Sequence, residues 1–288
     1  MINLNKWLKI KSSVLFNPNF YSHCLLALLL LSAGLNAGPL FDAHLHYSAD
    51  DAKALSPQAV ITRLKHNRIR YAAVTGTPAS QVTSLYRDAP DRIVPLLSLY
   101  RSKNDKISWP NDVSLPSYVE TELKQGHWRG IGELHIFARD RHSMVFRRIV
   151  EIASSQQLPL LIHGDPAVID TVYDISPEQP VIWAHAGTYP YPDFIADYLS
   201  RYPALSIDLS MRDERIAPDG TLDDAWYQLF IDYPDRFVVG VDTYSSQRWK
   251  NFDSAVTEIR NWLAQLPDDV AERFSYGNAA AVFGSDDR

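Results

Sequence analysis

Eight short apolar runs separated by longer amphipathic segments constrain this chain more than any other feature. The runs are 40–46 (LFDAHLH), 70–76 (RYAAVTG), 93–99 (IVPLLSL), 130–137 (GIGELHIF), 159–164 (PLLIHG), 181–187 (VIWAHAG), 205–210 (LSIDLS) and 237–243 (FVVGVDT). Continuous apolar runs of this length suit strands buried on both faces, as in a parallel sheet. Helical periodicity lies between them, at 59–66, 118–124, 144–155, 194–202, 223–231 and 255–266. The polar stretch 101–116, with Pro110 and Pro116, reads as a long loop after the third run. Eight strand-then-helix units over about 250 residues are the arithmetic of a (β/α)8 TIM barrel. A doubly wound open sheet shares that alternation, so pattern alone favours closure only modestly. With no linker and no internal repeat, residues 38–288 read as a single α/β domain.

Residues 1–37 stand apart from that reading. Lys6, Lys9 and Lys11 give a positive start, and no acidic residue precedes Asp42. The run LLALLLL at 25–31 follows, then small residues up to Ala37. This is the order of a secretory signal peptide, with Ala37 as the expected last residue. An uncleaved anchor is the competing reading, although the apolar stretch falls short of the about 20 residues that span a bilayer. The leader carries the only cysteine, Cys24, so a mature chain would have no thiol and no disulfide. An exported protein, periplasmic or secreted, is expected, with no stable membrane association after cleavage. The net charge of −6 gives no reason to expect a nucleic-acid partner. Oligomeric state is left open.

The histidines favour the barrel. Of nine in the chain, five lie at or near predicted strand ends: His44, His46, His135, His163 and His185. A barrel builds its active site at the carboxyl ends of its strands. Residues i and i+2 of a strand share a face, so His44 and His46 can both look inward. Asp242 ends the eighth run behind five apolar or glycine residues, where an unpaired carboxylate is costly and a cation removes the cost. His44, His46, His163 and Asp242 make a nitrogen and oxygen set suited to zinc, with iron or manganese as alternatives.

Taken together, Asp42-Ala43-His44-Leu45-His46, Ile162-His163-Gly164, Ala184-His185-Ala186-Gly187 and Gly240-Val241-Asp242 resemble the metal-dependent amidohydrolase superfamily. The closing segment 276–283 (YGNAAAVF) is similar to the ending of its amidohydrolase-related branch. The resemblance implies that His44, His46, His163 and Asp242 touch metal. It also implies that His185 binds a second ion or polarises substrate or water. In the fourth run, Gly130-Ile131-Gly132-Glu133 is similar to the motif of TatD-type deoxyribonucleases, in which the glutamate is a ligand. Glu133 could therefore bridge two ions or orient a ligand. His135, on the same strand face, reads as a substrate contact or a satisfied core histidine. Arg139, Arg212, Trp183, Tyr189 and Tyr244 are candidate substrate-binding residues near the mouth.

The expected activity is a metal-dependent hydrolase acting on a small-molecule ester, lactone, amide or related substrate. A divalent ion, zinc for preference and one or two in number, would activate water while Asp242 moves the proton. No Gly-x-Ser-x-Gly elbow offers a nucleophilic alternative. Decarboxylation or hydration on the same site, a TatD-like nuclease, and a non-catalytic exported binding barrel are the other readings. The absence of a Lys/Arg cluster weighs against the nuclease.

Overall fold

The computed structural model describes residues 38–284; the leader reading of residues 1–37 therefore lies outside the described residues. Eight parallel strands form one sheet in sequence order: β1 Leu40–His46, β2 Ile69–Thr75, β3 Ile93–Leu97, β4 Gly130–Ile136, β5 Leu160–Gly164, β6 Val181–Trp183, β7 Leu205–Asp208 and β8 Phe237–Val238. Ala43 N donates to Val239 O and Asp242 N to His44 O, both at 2.8 Å. These two bonds lay the β8 segment against β1, so the sheet closes into a TIM barrel rather than opening into a doubly wound one. Among the described residues no helix is long and apolar enough to cross a membrane.

Alternation along each strand divides the core. One set of side chains meets the surrounding helices, while Phe41 and Ala43, Tyr71 and Ala73, Val94 and Leu96, and Leu161 form a separate interior cluster. Ala279, Ala280 and Phe283 from the helix Asn278–Phe283 belong to that inner cluster, and Phe283 stacks on Phe41 with ring centroids 5.6 Å apart. The carboxyl-terminal helix thus fills the end of the barrel away from the strand termini that carry the histidines. Asn278 fixes it there, its amide donating to Pro234 O at 3.0 Å and Phe237 O at 2.8 Å. The closing sequence motif has a packing role.

The outer helices follow from their patterning. In Met144–Ser155 the buried residues Val145, Phe146, Ile149, Val150, Ile152 and Ala153 form one face, each large one worth about 1.5–3 kcal/mol of burial. Ser143 caps it by accepting from Phe146 N at 2.9 Å. The expected loop 101–116 is partly helical: Asp105–Ser108 and the turn Trp109–Asn111 lie within it, and the helix Leu115–Leu123 begins inside it. Buried Trp109 holds this segment down by donating its indole N–H to His135 O at 2.9 Å. A single aromatic anchor organises a stretch whose composition is that of a loop.

Candidate metal and active site

Two strands stop short where the site is built. β6 ends at Trp183, and His185 and Ala186 then adopt left-handed backbone at φ 59° and 52°. Such conformations cost a non-glycine residue about 1–2 kcal/mol and are retained where the surroundings enforce them. Arg212 is part of that enforcement, its Nε donating to His185 O at 2.7 Å. Gly187 follows at φ 71°, where a Cβ would sit 2.4 Å from the Trp183 ring. Past β8, Gly240 passes so close to β1 that a Cβ would lie 2.7 Å from that of His44. Asp242, two residues on, is itself left-handed at φ 52°. These bends carry His185 and Asp242 over the mouth.

Glu133 is the hub. Its Oε1 lies 2.9 Å from His163 Nδ1 and 3.4 Å from His185 Nε2. Its Oε2 lies 3.3 Å from His46 Nε2, 3.5 Å from His135 Nε2 and 3.7 Å from His44 Nε2. One buried carboxylate thus faces five imidazoles. Asp242 stands opposite, with Oδ1 3.2 Å from His46 Nε2 and 3.9 Å from His44 Nε2, and Oδ2 3.7 Å from His185 Nε2. Three overlapping sets of ligand atoms result: His44–His46–Asp242, His44–Glu133–His185, and Glu133–His135–His163.

The expected quartet is therefore spread out. His44, His46 and Asp242 meet directly, whereas His163 reaches the group through Glu133 and is the most exposed member. His135 faces Glu133 on one side, and its Nδ1 meets Tyr100 Oη at 3.2 Å on the other. Its ring stacks on His163 with centroids 4.5 Å apart.

The chemistry of these donors fits a cation. The Oδ1 atom of Asp242 is buried without a hydrogen-bond partner. The Nε2 atoms of His44 and His46 face each other at 3.2 Å, close to the about 3.3 Å expected for two nitrogens 2.0–2.1 Å from one tetrahedral ion. Burial works against charge on His46, but the Asp242 and Glu133 carboxylates outweigh it and push its pKa up to about 9. The same contest raises His44 well above the ordinary range. Burial would raise Asp242, yet His44 and His46 draw it down to about 2. The pocket favours positive charge between its carboxylates.

Two contributors escape the sequence patterning. Asp208, at the end of β7, is fully buried, and its Oδ2 accepts from His44 Nδ1 at 2.8 Å and from His185 N at 3.2 Å. Ser210 donates its hydroxyl to the same oxygen at 2.5 Å. The signal that could have found Asp208 is the one that found Asp242, a carboxylate ending an apolar run.

The candidate substrate residues fare differently. Trp183 is fully buried, with its indole N–H donating to Gly164 O at 2.9 Å; it supports the His185 turn from beneath and is not a pocket wall. Arg212 spends its guanidinium on His185 O and Gly187 O. Arg139 is exposed and paired with Asp140 at 3.1 Å, outside the cluster. Tyr189 packs edge-on against Phe194 and, like Tyr244, is exposed at the surface.

The profile of the amidohydrolase family (Amidohydro_2) matches residues 124–285, more than half of the chain. This protein is an amidohydrolase-family member. The matched span holds Glu133, His163, His185 and Asp242, while His44 and His46 precede it. No curated protein sequence matches the chain. Its fold is similar to that of a putative 2-pyrone-4,6-dicarboxylic acid hydrolase from Pseudomonas putida, at 15% identity and TM-score 0.62 over 88% of this chain and 100% of that one. A 2,6-dihydroxybenzoate decarboxylase is similar at 11% identity and TM-score 0.61, over 87% and 100%. A TatD homologue from Escherichia coli K12 is similar at 12% identity and TM-score 0.61, over 85% and 98%.

Proposed function

We propose that this amidohydrolase is a metal-dependent hydrolase of small esters, lactones, amides or related substrates, with zinc as the preferred ion. The observation that carries the proposal is the convergence of His44, His46 and Asp242, with Asp242 Oδ1 buried and unpartnered. His44, His46 and Asp242 would hold one ion, with Glu133, His163 and His185 beside them as further donors. A divalent cation there supplies Lewis acidity and lowers the pKa of water from about 15.7 towards roughly 7. Asp242 takes the water proton and returns it to the leaving group, being held ionised by His44 and His46. Glu133 keeps the five imidazoles turned towards the reacting centre. The strand-end bends at His185 and Asp242 set that geometry before substrate arrives, so little reorganisation is left for the reaction itself.

Decarboxylation is the second reading, supported by the shared fold of the 2,6-dihydroxybenzoate decarboxylase. Metal analysis of purified protein, followed by a screen of esters, lactones, amides and aromatic acids, separates the two. Hydrolysis without release of carbon dioxide supports the first, and carbon dioxide release without water incorporation supports the second. A protein that takes up no divalent metal at neutral pH would overturn both. The leader-like residues 1–37 support export, and amino-terminal sequencing of the mature protein should then begin at Gly38.

A further inference from the structure

The outward-facing nitrogens of His44 and His185 are held by one buried device. His185 Nδ1 meets the Ser210 carbonyl at 3.2 Å and the Ser210 hydroxyl at 2.9 Å. A carbonyl only accepts, so this ring nitrogen carries the proton. The Ser210 hydroxyl is free to accept from it because its own hydrogen goes to Asp208 Oδ2 at 2.5 Å. That same Oδ2 accepts from His44 Nδ1 at 2.8 Å, so His44 is also protonated on Nδ1. Asp208 in turn is oriented by the backbone: Ser210 N donates to its Oδ1 at 2.9 Å and His185 N to its Oδ2 at 3.2 Å. His44 and the carboxylate lie at 0% exposure, where competing water has no access.

We infer that Asp208 and Ser210 form a shared tautomer lock that turns the bare Nε2 atoms of His44 and His185 together towards the metal cluster. The bare nitrogens need a cation, because their neighbours are acceptors. His185 Nε2 faces Glu133 Oε1 at 3.4 Å and Asp242 Oδ2 at 3.7 Å; His44 Nε2 faces Glu133 Oε2 at 3.7 Å. Lone pairs gathered in this way repel until a positive ion stands between them. The lock therefore places His185 with the metal ligands rather than among the hydrogen-bond donors to substrate. Asp208 and Ser210 are positioning residues. They touch no reacting atom but decide which nitrogen two separate strands present.

The inference rests on the proposed metal site, and its test separates the two. Ring ¹⁵N spectra of histidine-labelled protein are recorded with and without Zn²⁺, alongside Zn²⁺ titrations, for the wild type, Asp208→Asn and Ser210→Ala. In the wild type both rings should report a protonated Nδ1 and an unprotonated Nε2 in the Zn²⁺-loaded state. Asp208→Asn should weaken Zn²⁺ binding by about 10–100-fold, the usual cost of losing an outer-shell partner, and disturb both rings. Ser210→Ala should disturb His185, which loses a 2.9 Å partner, far more than His44, whose Nδ1 lies 3.3 Å from the Ser210 hydroxyl but keeps its 2.8 Å bond to Asp208. That asymmetry is a signature general loosening of the fold would not give, and it stands if Asp208→Asn fails to fold. A wild type that binds no Zn²⁺ defeats the metal site. A wild type that binds Zn²⁺ with either ring protonated on Nε2 defeats the lock alone, as does Ser210→Ala with an unchanged His185 signal.

Discussion

His44 Nε2 stands 3.2 Å from His46 Nε2, although each imidazole is surrounded by carboxylates that favour a proton on it. Two protonated rings would repel at that distance, and two bare ones would waste the negative field around them. A divalent ion satisfies both. Metal uptake must then displace protons, and its pH dependence follows. With His46 raised to about 9, apparent Zn²⁺ affinity should climb as pH rises from about 6 to about 8, because fewer protons remain to be expelled. Isothermal titrations in buffers of different ionisation enthalpy would count the protons released. Affinity independent of pH across that range would contradict the assignment of His44 and His46 as ligands.

Asp242→Asn keeps the size of the side chain and removes its capacity to carry a proton. Losing a general base of this kind costs about 10²–10⁴ in turnover, and the variant should show a loss of that order on any identified substrate. Its circular dichroism should match the wild type, because Asp242 contributes no hydrogen bond through Oδ1 that the fold depends on. Near-normal kcat would assign the proton transfer to another group.

The barrel could be read from the sequence because its strands are buried on both faces and announce themselves as unbroken apolar runs. β1 and the helix Met144–Ser155 coincide with the runs 40–46 and 144–155. The later strands were overestimated. The runs 181–187 and 237–243 end as β6 at Trp183 and β8 at Val238, since His185 and Asp242 leave the strand for left-handed turns. Apolar composition continues through those turns, so the pattern does not register the bend that makes the site. Histidines are rare enough at strand ends to be noticed singly, which is why His44, His46, His163 and His185 were legible. Asp208 was not, because a buried aspartate in LSIDLS looks like strand alternation until His44 is seen beside it. Trp183 was misjudged for the opposite reason: proximity in sequence to His185 says nothing about which side of the turn its ring occupies.

Gly187→Ala tests the turn that carries His185. The position needs φ 71°, and an added Cβ would meet the Trp183 ring at 2.4 Å. With ψ −169° beside that φ, the backbone lies in a region essentially reserved for glycine and costs an alanine about 1–3 kcal/mol, and overpacking against a rigid indole adds about 1–3 kcal/mol. The variant should melt several degrees lower and lose activity beyond what its folded fraction explains, since His185 is displaced with the turn. Equal losses of activity and folded protein would mean that the turn matters only for stability.

Asp213 offers a test of electrostatics away from the site. Burial pushes its carboxyl up to about 6, with Glu258 adding to the rise and the Trp262 indole N–H, at 2.9 Å, opposing it. An acid whose folded pKa exceeds its unfolded value binds more protons when folded. Stability therefore falls as pH rises from the unfolded value of 3.8 towards about 6. Asp213→Asn removes that titration and leaves an oxygen to accept from Trp262. The variant should gain on the wild type as pH climbs through this window and hold a constant margin of about 1–3 kcal/mol beyond it. Urea midpoints of the two proteins at about pH 4, 5, 6 and 7 measure the difference directly, and a margin that does not grow between the first and the third would show that Asp213 ionises as freely in the fold as in the open chain.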